Sequence, residues 1–566
     1  MRRFVVSTPT AEGRGRVTRA VATPKGAQRS RWGRVHACLA AVLLLAVLPA
    51  VAQVNILVVM TDDQRFDTVS TTPNIADLAS RGVRFTNAFV STPLCSPSRA
   101  SIYSGGYLSQ NTGVLGNQMP NGGVRLFNDK VNLGTVLQSA GYRTFFVGKW
   151  LNEYENLKTY IPPGWDRFIG RHSYATVADW YGFRYTIGSS SQLSSTGQIV
   201  KATQYTTYYE RDRVLEFLGS SAADRPFFIF WSPTAPHTPA TPAQEDLDKF
   251  SQYTYRERGY GETDLSDKPQ WVRNDASPGD DDFVRDQLRS LQSLDRSVAA
   301  VVDKLRAMKR LDNTMIVFLS DNGYLWGEHR LWGKKGAFEE TTRVPFFIVM
   351  PGVAPRDETA MVSPTLDLGP TVYALAGVPR QTDGKNLVSL LHNPGQKVRD
   401  EFFMESNENF AAGNAVWASL RGERWKYVKY WTGEEELYDL YSDPYELKSR
   451  HKDATLATLK ASLSARTDGL LGLAIVPVRR FPLATVGTPY KYPFKIWGGV
   501  APFTWKLNSG QLPPGLTLGA TSGVLSGVPT TPGTYQFAVR LTDSSLATQA
   551  RKARTFVTRT MKLIVK

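Results

Sequence analysis

Four runs of mainly apolar residues predict the strands of a buried parallel sheet. They occupy residues 54–60, 142–147, 226–231 and 314–320. Runs that are rich in β-branched and aromatic residues, without polar alternation, are typical of strands covered on both faces. Apolar residues at spacings of three and four predict a helix before the last run. These residues are Leu291, Leu294, Val298, Val301 and Leu305. Strands that alternate with helices predict an α/β fold with a large, mostly parallel central sheet between helices.

Each of the four runs is followed by residues that can bind a metal ion, carry a positive charge or transfer a proton. They are Asp62 and Asp63, Gly148 and Lys149, Pro236 and His237, and Asp321 and Asn322. Ligands of open α/β sheets bind just beyond the carboxyl ends of the strands. We therefore expect these residues to meet in one active site.

The oxygen donors in this set predict a calcium site. Asp62, Asp63, Asp321 and Asn322 offer only oxygen atoms, which suit Ca²⁺ or Mg²⁺ better than zinc. Four such side chains leave room for other oxygen ligands in a Ca²⁺ site of about six ligands. Either pair alone would more often be a turn or a helix cap. Their shared position after buried strands favours the metal site.

The first 52 residues predict an export signal. An arginine-rich stretch precedes the apolar run 37–51, and Ala50-Val51-Ala52 offers small residues for cleavage. The run is short for a membrane span, which needs about 20 residues, although an uncleaved anchor stays open. We expect a secreted or periplasmic protein that is cleaved near Ala52.

The formal net charge of +16 lies at the two ends of the chain. Residues 1–52 contain nine Lys/Arg and one acid, and residues 478–566 contain twelve Lys/Arg and one acid. The long segment between them is therefore slightly acidic. Because it holds no nucleic-acid-binding motif, we expect no nucleic-acid partner.

Cys95 is the only cysteine beyond the predicted signal, since the other one is Cys38. A secreted protein with a single cysteine cannot use it for an internal disulfide. A buried thiol that packs as a small apolar group is the simplest alternative. That alternative leaves the spacing of Pro97 and Arg99 in the stretch Cys95-Ser96-Pro97-Ser98-Arg99 unexplained.

Residues from about 55 to about 450 resemble the sulfatase branch of the alkaline-phosphatase-like superfamily. Besides the cysteine motif, the matching motifs are Asp62-Asp63, Gly148-Lys149-Trp150, Pro236-His237-Thr238-Pro239, Ser320-Asp321-Asn322-Gly323, Gly327-Glu328-His329, Gly333-Lys334 and Glu436-Leu437-Tyr438-Asp439-Leu440. The resemblance implies an alkaline-phosphatase-like sulfatase fold with a small C-terminal antiparallel subdomain. It also implies a sulfuric ester hydrolase that acts on sulfate monoesters.

The resemblance further implies that a maturation enzyme converts Cys95 to formylglycine (3-oxoalanine). One hydroxyl of the aldehyde hydrate would attack sulfur and release the alcohol, and the other would expel sulfate and restore the aldehyde. Residue 95 would also be a ligand of the Ca²⁺ ion. The metal, Arg99, Lys149 and Lys334 would neutralise the sulfate oxygens.

Two histidines have candidate roles in the same resemblance. His237 is the candidate to protonate the leaving alcohol, because histidine titrates near neutral pH. The alternative for His237 is a surface histidine that caps a turn. His329 either contacts the substrate or supports the edge of the sheet.

One position departs from the usual sulfatase pattern. Many sulfatases carry a histidine two residues after the lysine, where this chain has Leu151. Asn152 could bind a hydroxyl of the hydrate, but an amide cannot be a general base. The variant is similar to N-acetylglucosamine-6-sulfatases and extracellular heparan endosulfatases. We therefore expect sugar 6-sulfates or aryl sulfates as substrates. A phosphonate monoester or phosphodiester hydrolase and a non-catalytic glycan-binding relative stay open.

The C-terminal part of the chain predicts a separate domain. From about Phe481, Pro and Gly are frequent, and residues 533–543 alternate between apolar and polar. These features predict an all-β sandwich that is similar to immunoglobulin-like domains of bacterial secreted proteins. Its basic surface could contact acidic glycans or the cell envelope, or it could be a spacer. The predicted division is 1–52 signal peptide, 53–475 catalytic domain and 480–566 immunoglobulin-like domain.

Overall fold

The four apolar runs form neighbouring strands of one ten-stranded sheet. We describe the protein from a computed structural model, which covers residues 53–119, 121–172, 180–190, 195–220, 225–275, 279–406, 416–475, 481–499, 501–544 and 556–566. The predicted export signal lies outside these residues. Up to residue 358 the strands are β1 (Asn55–Thr61), β2 (Val83–Phe85), β3 (Arg143–Lys149), β4 (Tyr160–Ile161), β5 (Arg167–Arg171), β6 (Arg184–Gly188), β7 (Ser195–Thr196), β8 (Gln198–Lys201), β9 (Phe227–Ser232), β10 (Thr314–Ser320), β11 (Leu325–Trp326), β12 (Trp332–Gly333), β13 (Phe346–Val349) and β14 (Arg356–Glu358).

The order of the strands brings the predicted site residues to one edge. The sheet runs β14-β2-β13-β10-β1-β9-β3-β5-β6-β8, and the five strands from β10 to β5 in this order are parallel. Their carboxyl ends therefore lie side by side. Alternate residues of β1 enter apolar clusters on opposite faces, with Val58 on one face and Val59 on the other. This two-sided burial explains why the apolar runs are continuous.

Helices cover both faces of the sheet. They are α1 (Pro73–Ser80), α2 (Cys95–Tyr103), α3 (Ser109–Thr112), α4 (Leu133–Ser139), α5 (Thr206–Gly219), α6 (Gln270–Asn274), α7 (Asp281–Ala307), α8 (Glu339–Thr342), α9 (Pro364–Leu375), α10 (Val388–His392) and α11 (Ala457–Leu470). The predicted amphipathic helix is α7, which begins where the Asp280 side chain accepts hydrogen bonds from the N–H groups of Asp282 and Phe283. Its apolar stripe packs on the same face of the sheet as Val59. In the described part of the chain, no helix is both long and apolar enough to cross a membrane.

Two smaller β units follow the central sheet. The first is an antiparallel sheet of β15 (Glu401–Ser406), β16 (Trp417–Gly422), β17 (Trp425–Tyr430) and β18 (Glu435–Asp439), against which α11 packs. The remaining strands are β19 (Ala474–Ile475), β20 (Tyr490–Pro493), β21 (Ile496–Trp497), β22 (Thr504–Gly510), β23 (Leu516–Leu518), β24 (Val524–Gly527), β25 (Gly533–Thr542) and β26 (Phe556–Val565). Two three-stranded sheets, β20-β24-β23 and β22-β25-β26, enclose the last apolar cluster. The alternating run 533–543 is strand β25, as predicted.

Candidate active site

Cys95 is the first residue of helix α2 and is fully buried. The ammonium of Lys334 lies 2.9 Å from its Sγ, and Oδ1 of Asp62 lies 3.7 Å from the same atom. Burial raises the pKa of Cys95 to about 11, although Lys149 and Lys334 oppose this shift. The unmodified thiol is therefore protonated at neutral pH and is a weak nucleophile.

The acidic residues come together because β1 and β10 end side by side. Thr61 pairs with Ser320, so that Asp62 and Asp63 follow one strand and Asp321 and Asn322 the other. The N–H of Asp63 donates to Asp321 Oδ1 at 3.1 Å, and Asn322 Nδ2 donates to Asp63 Oδ1 at 2.7 Å. These bonds hold the cluster as one unit.

This cluster fits a metal ion. Oδ2 of Asp63 and Oδ1 of Asn322 are buried and have no hydrogen-bond partner among the described residues. Buried oxygens of this kind are normally paired or bound to a metal. One ligand atom each from Asp62, Asp63, Cys95 and His237 also lie within 4.8 Å of one another. His237 was not predicted as part of this group. Asp321 was predicted as a ligand, but both of its carboxylate oxygens already accept protein hydrogen bonds.

Two buried cations, Arg99 and Lys149, and the partly buried Lys334 face the acidic cluster. Arg99 Nε donates to Asp321 Oδ2 at 2.7 Å, and its Nη2 lies 3.4 Å from Asp62 Oδ2. Lys149 Nζ lies 2.5 Å from Asp62 Oδ2, and Lys334 Nζ lies 2.7 Å from Asp63 Oδ1. The predicted anion-binding residues are therefore together around Cys95.

Gly148 allows strand β3 to place Lys149 at the active site. Gly148 has φ +111°, and a Cβ at this position would lie 2.0 Å from the carbonyl oxygen of Ser232. Only glycine permits this close approach of β3 to β9. The carbonyl of the next residue, Lys149, then accepts a hydrogen bond from Arg99 at 2.9 Å. The backbone of the lysine and the guanidinium of Arg99 thus hold each other in place.

Burial and the neighbouring charges shift the pKa values of Asp62 and Asp321 in opposite directions. Burial would raise the pKa of Asp62, but Lys149, His237, Arg99 and Lys334 hold it well below its usual range. Burial also raises the pKa of Asp321, and there the effect of burial prevails over that of Arg99 and brings the pKa to about 7. Asp62 is therefore ionised at neutral pH, whereas Asp321 depends on further positive charge to stay ionised.

His237 lies on the loop after β9 and faces the acidic cluster. Its Nδ1 lies 2.6 Å from the carbonyl oxygen of Thr238, and its Nε2 lies 3.8 Å from Asp63 Oδ2. A carbonyl only accepts, so Nδ1 carries the proton and Nε2 of the neutral ring offers a lone pair towards the site. Burial lowers the pKa of His237 to about 4. The ring is thus neutral at neutral pH.

Asn152 and Leu151 lie next to the cysteine helix. Asn152 Oδ1 accepts a hydrogen bond from Ser96 Oγ at 2.9 Å, and its N–H donates to the same hydroxyl at 3.0 Å. Its side chain therefore supports the residue that follows Cys95. Leu151 is completely buried in the apolar core.

His329 lies beside the segment that carries Lys334. Its Nδ1 lies 2.7 Å from Glu262 Oε2, its ring stacks on Phe338 at a centroid distance of 3.9 Å, and the residue is fully buried. Burial would lower the pKa of His329, but the hydrogen bond with Glu262 and the negative charges of Glu262, Glu340 and Glu446 together raise it. These contacts agree with the supporting role more than with a role in binding substrate.

Sequence reasoning missed a set of residues that anchor the catalytic loops. Gln287 on helix α7 donates from Nε2 to the carbonyl of Pro236 at 3.1 Å. Its Oε1 accepts a hydrogen bond from Trp326 Nε1 at 2.5 Å. Arg65 stacks on Trp326 at 4.5 Å and donates to Glu328 at 2.7 Å. A buried glutamine on an apolar helix face, and an arginine three residues after Asp62, are the only signals in the sequence.

Fold and site together define an α/β protein in which an acidic cluster suited to a metal ion and three cations surround one cysteine at the carboxyl edge of the sheet. The chain belongs to the sulfatase family, because the family model described as Sulfatase matches residues 54–378. The model described as N-sulphoglucosamine sulphohydrolase, C-terminal, matches residues 327–471, and an Ig domain model matches residues 474–558. The predicted family, its class of sulfuric ester hydrolases and the immunoglobulin-like domain are thereby confirmed.

Several curated proteins are similar to this chain. An arylsulfatase of Volvox carteri is 29% identical over 515 residues, which are 78% of this chain and 77% of the relative. An extracellular sulfatase homologue of Caenorhabditis elegans is 33% identical over 359 residues, which are 60% of this chain. The chain spans about half the length of that relative, with 49% of it covered. Human N-acetylglucosamine-6-sulfatase is 29% identical over 361 residues, which are 60% of this chain and 64% of the relative.

Solved structures confirm the predicted alkaline-phosphatase-like fold. A structure solved in complex with its substrate, D-glucosamine-2-N,6-O-disulfate, has a TM-score of 0.66 at 23% identity and covers 74% of this chain and 97% of its own. The phosphonate monoester hydrolase of Agrobacterium radiobacter has a TM-score of 0.57 at 22% identity. The match covers 73% of this chain and 94% of the hydrolase chain. At these identities the likeness concerns the fold alone.

Proposed function

We propose that the protein hydrolyses sulfate monoesters to an alcohol and inorganic sulfate, with a formylglycine made from Cys95. The observation that carries this proposal is the position of Sγ, 2.9 Å from Lys334 Nζ and 3.7 Å from Asp62 Oδ1. The reacting atom thus lies between a cation and a metal-type cluster. A formylglycine hydrate at this position would supply the attacking oxygen and would later release sulfate by returning to the aldehyde.

One Ca²⁺ ion completes the proposed site. Asp62, Asp63, Asp321 and Asn322, with residue 95, would hold it, and the unpaired buried oxygens of Asp63 and Asn322 support this assignment. The ion would polarise a sulfate oxygen. Positive charge at this position would also keep Asp321 ionised, since burial otherwise raises the pKa of this carboxyl to about 7.

The cations and His237 have separate roles in the proposed reaction. Arg99, Lys149 and Lys334 are all matched by carboxylates, so a divalent ion leaves net positive charge for the sulfate group. His237 points Nε2 into the site and would give a proton to the leaving alcohol. This nitrogen must first be protonated, which the negative charge of a bound sulfate ester favours.

We propose a sugar 6-sulfate as the natural substrate, with aryl sulfates as convenient assay substrates. The similarity to human N-acetylglucosamine-6-sulfatase and the Lys149-Trp150-Leu151-Asn152 variant support this choice. The extracellular relative supports a location outside the cytoplasm. We further propose that the immunoglobulin-like domain, with its excess of Lys and Arg, contacts acidic glycans or the cell envelope.

A substrate panel tests the proposal. The enzyme, coexpressed with a formylglycine-generating enzyme, is assayed with 4-nitrophenyl sulfate, 4-nitrophenyl phenylphosphonate, D-glucosamine 6-sulfate and D-glucosamine 3-sulfate. We expect kcat/KM to be highest for the sulfate esters and higher for the 6-sulfate than for the 3-sulfate. Faster turnover of the phosphonate would contradict the proposal in favour of the phosphonate hydrolase. Binding of all four without turnover would show a non-catalytic relative.

A further inference from the structure

Arg171 is the last residue of strand β5 and lies beside Lys149, the last residue of β3. The two residues are direct partners in the parallel pairing of these strands. Paired residues of parallel neighbours point to the same face of the sheet, on strands about 4.8 Å apart. Lys149 reaches Asp62 in the active site from this position. Arg171 therefore holds the next place along the same carboxyl edge.

The guanidinium of Arg171 is buried and forms no ion pair with any residue that the structure describes. Only 4% of the residue is exposed, and its Nε is buried without a hydrogen-bond partner. Among the described residues no carboxylate lies within ion-pair distance of it, and its guanidinium carbon stacks on Phe183 at 4.3 Å. A buried charge without a partner is costly. Such a group fits a site whose partner arrives with a ligand.

The nearby buried acid Glu210 is occupied by other donors. Its Oε1 accepts from the hydroxyl of Tyr185 at 3.2 Å, and its Oε2 accepts from Trp231 Nε1 at 3.2 Å. Burial raises the pKa of Glu210 to about 7, although Arg171 opposes this shift. Glu210 is thus only partly ionised at neutral pH and is no full counterion for Arg171.

Arg171 is also within electrostatic reach of the reaction centre. Burial lowers its pKa, and besides Tyr185 and Glu210 the groups that act on it are Asp62 and Arg99 of the active site. An anion bound at Arg171 would therefore lie close to the sulfate group that is cleaved. The planar guanidinium offers donors that suit a sulfate or a carboxylate.

We propose that Arg171 binds a second anionic group of the substrate, so that the enzyme prefers sugar sulfates with at least two negative charges. This inference rests on the proposed sulfatase function. The second group is a sulfate or a carboxylate, on the same sugar or on its neighbour. Because Lys149 serves the sulfate that is cleaved, Arg171 next to it would select the substrate without taking part in the chemistry.

The variant Arg171→Gln tests this inference, with Arg167→Gln as the matched control. Arg167 lies on the same strand and face but pairs with Glu216 at the other end of β5. The substrates are 4-nitrophenyl sulfate and D-glucosamine 6-sulfate, D-glucosamine-2-N,6-O-disulfate, and a disaccharide of glucosamine 6-sulfate with a uronic acid. The last two substrates show whether Arg171 prefers a sulfate or a carboxylate as the second anionic group.

For Arg171→Gln we expect kcat/KM to fall about 10- to 100-fold on the matching two-anion substrate, mainly through KM, as for the loss of a charged hydrogen bond. The change on 4-nitrophenyl sulfate should stay within about twofold, since that substrate lacks the second anion. Arg171→Lys should recover part of the loss, and Arg167→Gln should behave as wild type.

An equal loss on all four substrates would overturn the inference, and so would unchanged kinetics on both two-anion substrates. If the proposed sulfatase function is itself wrong, the result is different, because the wild-type enzyme then turns over none of the sulfate esters. In that case thermal stabilisation by the same four compounds is the deciding measurement. A wild-type preference for a two-anion compound that Arg171→Gln abolishes supports the site, and equal stabilisation of both proteins by every compound contradicts it.

Discussion

At the scale of single residues, the environment of Cys95 explains why the unmodified thiol is a poor catalyst. Burial keeps it protonated, while Lys334 and Asp62 surround it. An oxygen in place of the sulfur would face the same cation and the same acidic cluster. The side chain of residue 95 thus lies at the centre of the site, next to a cation and a carboxylate.

We therefore expect Cys95 to be present as formylglycine in active enzyme and Cys95→Ser to lose turnover. Serine could be sulfated but has no second hydroxyl with which to expel the sulfate. Mass spectrometry of the peptide that contains residue 95 gives the fraction converted. Activity should scale with that fraction, and fully active enzyme with an intact thiol would refute the assignment.

The acidic cluster predicts a second residue-scale result. Asp321→Ala should remove bound Ca²⁺ and lower kcat by at least about 100-fold, because the ion and Arg99 both lose a partner. Metal content by elemental analysis and activity after chelation and Ca²⁺ addition measure the two effects. Asp357→Ala, at an exposed ion pair with Arg84, is the control. Full turnover by metal-free protein would show that the oxygen cluster is not a metal site.

At the scale of elements, helix α7 does more than cover the sheet. Gln287 connects the helix to the loop that carries His237 through the carbonyl of Pro236. The Oε1 atom of the same side chain accepts a hydrogen bond from Trp326, on which Arg65 stacks. Three separate segments of the site thus meet at one buried amide.

Gln287→Met should misplace His237 while Cys95 stays in position. We expect kcat to fall about tenfold with little change in KM, since small displacements of catalytic groups are costly. Stability should fall by about 1–3 kcal/mol, because Trp326 and Pro236 lose buried partners. Gln292→Met on the same helix, which frees the carbonyl of Thr71 instead, should lose stability but retain kcat. Equal losses of kcat in both variants would refute the positioning role.

At the scale of the whole molecule, the C-terminal domain contacts the antiparallel sheet of the catalytic part. Trp497 of strand β21 packs with Tyr427, Leu437 and Leu471, and its ring lies 5.7 Å from that of Trp431. Ile475, within the range predicted as catalytic, packs in the core of the C-terminal domain. The predicted limits of the two domains stay predictions, but the contact shows that they share an apolar surface.

Removal of residues 480–566 should leave hydrolysis of 4-nitrophenyl sulfate nearly intact, because every catalytic motif precedes this segment. Binding to a sulfated polymer should weaken, most of all at low salt, since ions screen exposed charges over about 10 Å at 0.1 M. Affinity chromatography on heparin at several salt concentrations measures this. Unchanged heparin binding would identify a spacer, and failure to fold would show that the contact of Trp497 is essential.

The sequence by itself determined the kind of fold and the family. Continuous apolar runs encode strands buried on both faces, and the spacing of Leu291, Leu294 and Val298 encodes a helix, because burial has a local period. The ordered motifs around Cys95, Lys149 and His237 identified the family. That Asp62, Asp63, Asp321 and Asn322 lie together was also predictable, since the carboxyl ends of parallel strands meet at one edge. Their role as metal ligands stays a prediction.

Only the tertiary structure decided which side chains support, orient or extend the site. Gln287 lies 51 residues from Pro236, and Arg171 gains its position next to Lys149 from the pairing of β3 with β5. No local pattern encodes such contacts, because they follow from strand order and from the packing of distant segments. The same packing buries Arg171 at the end of β5 without an ion pair among the described residues, and neighbouring residues in the sequence do not show this.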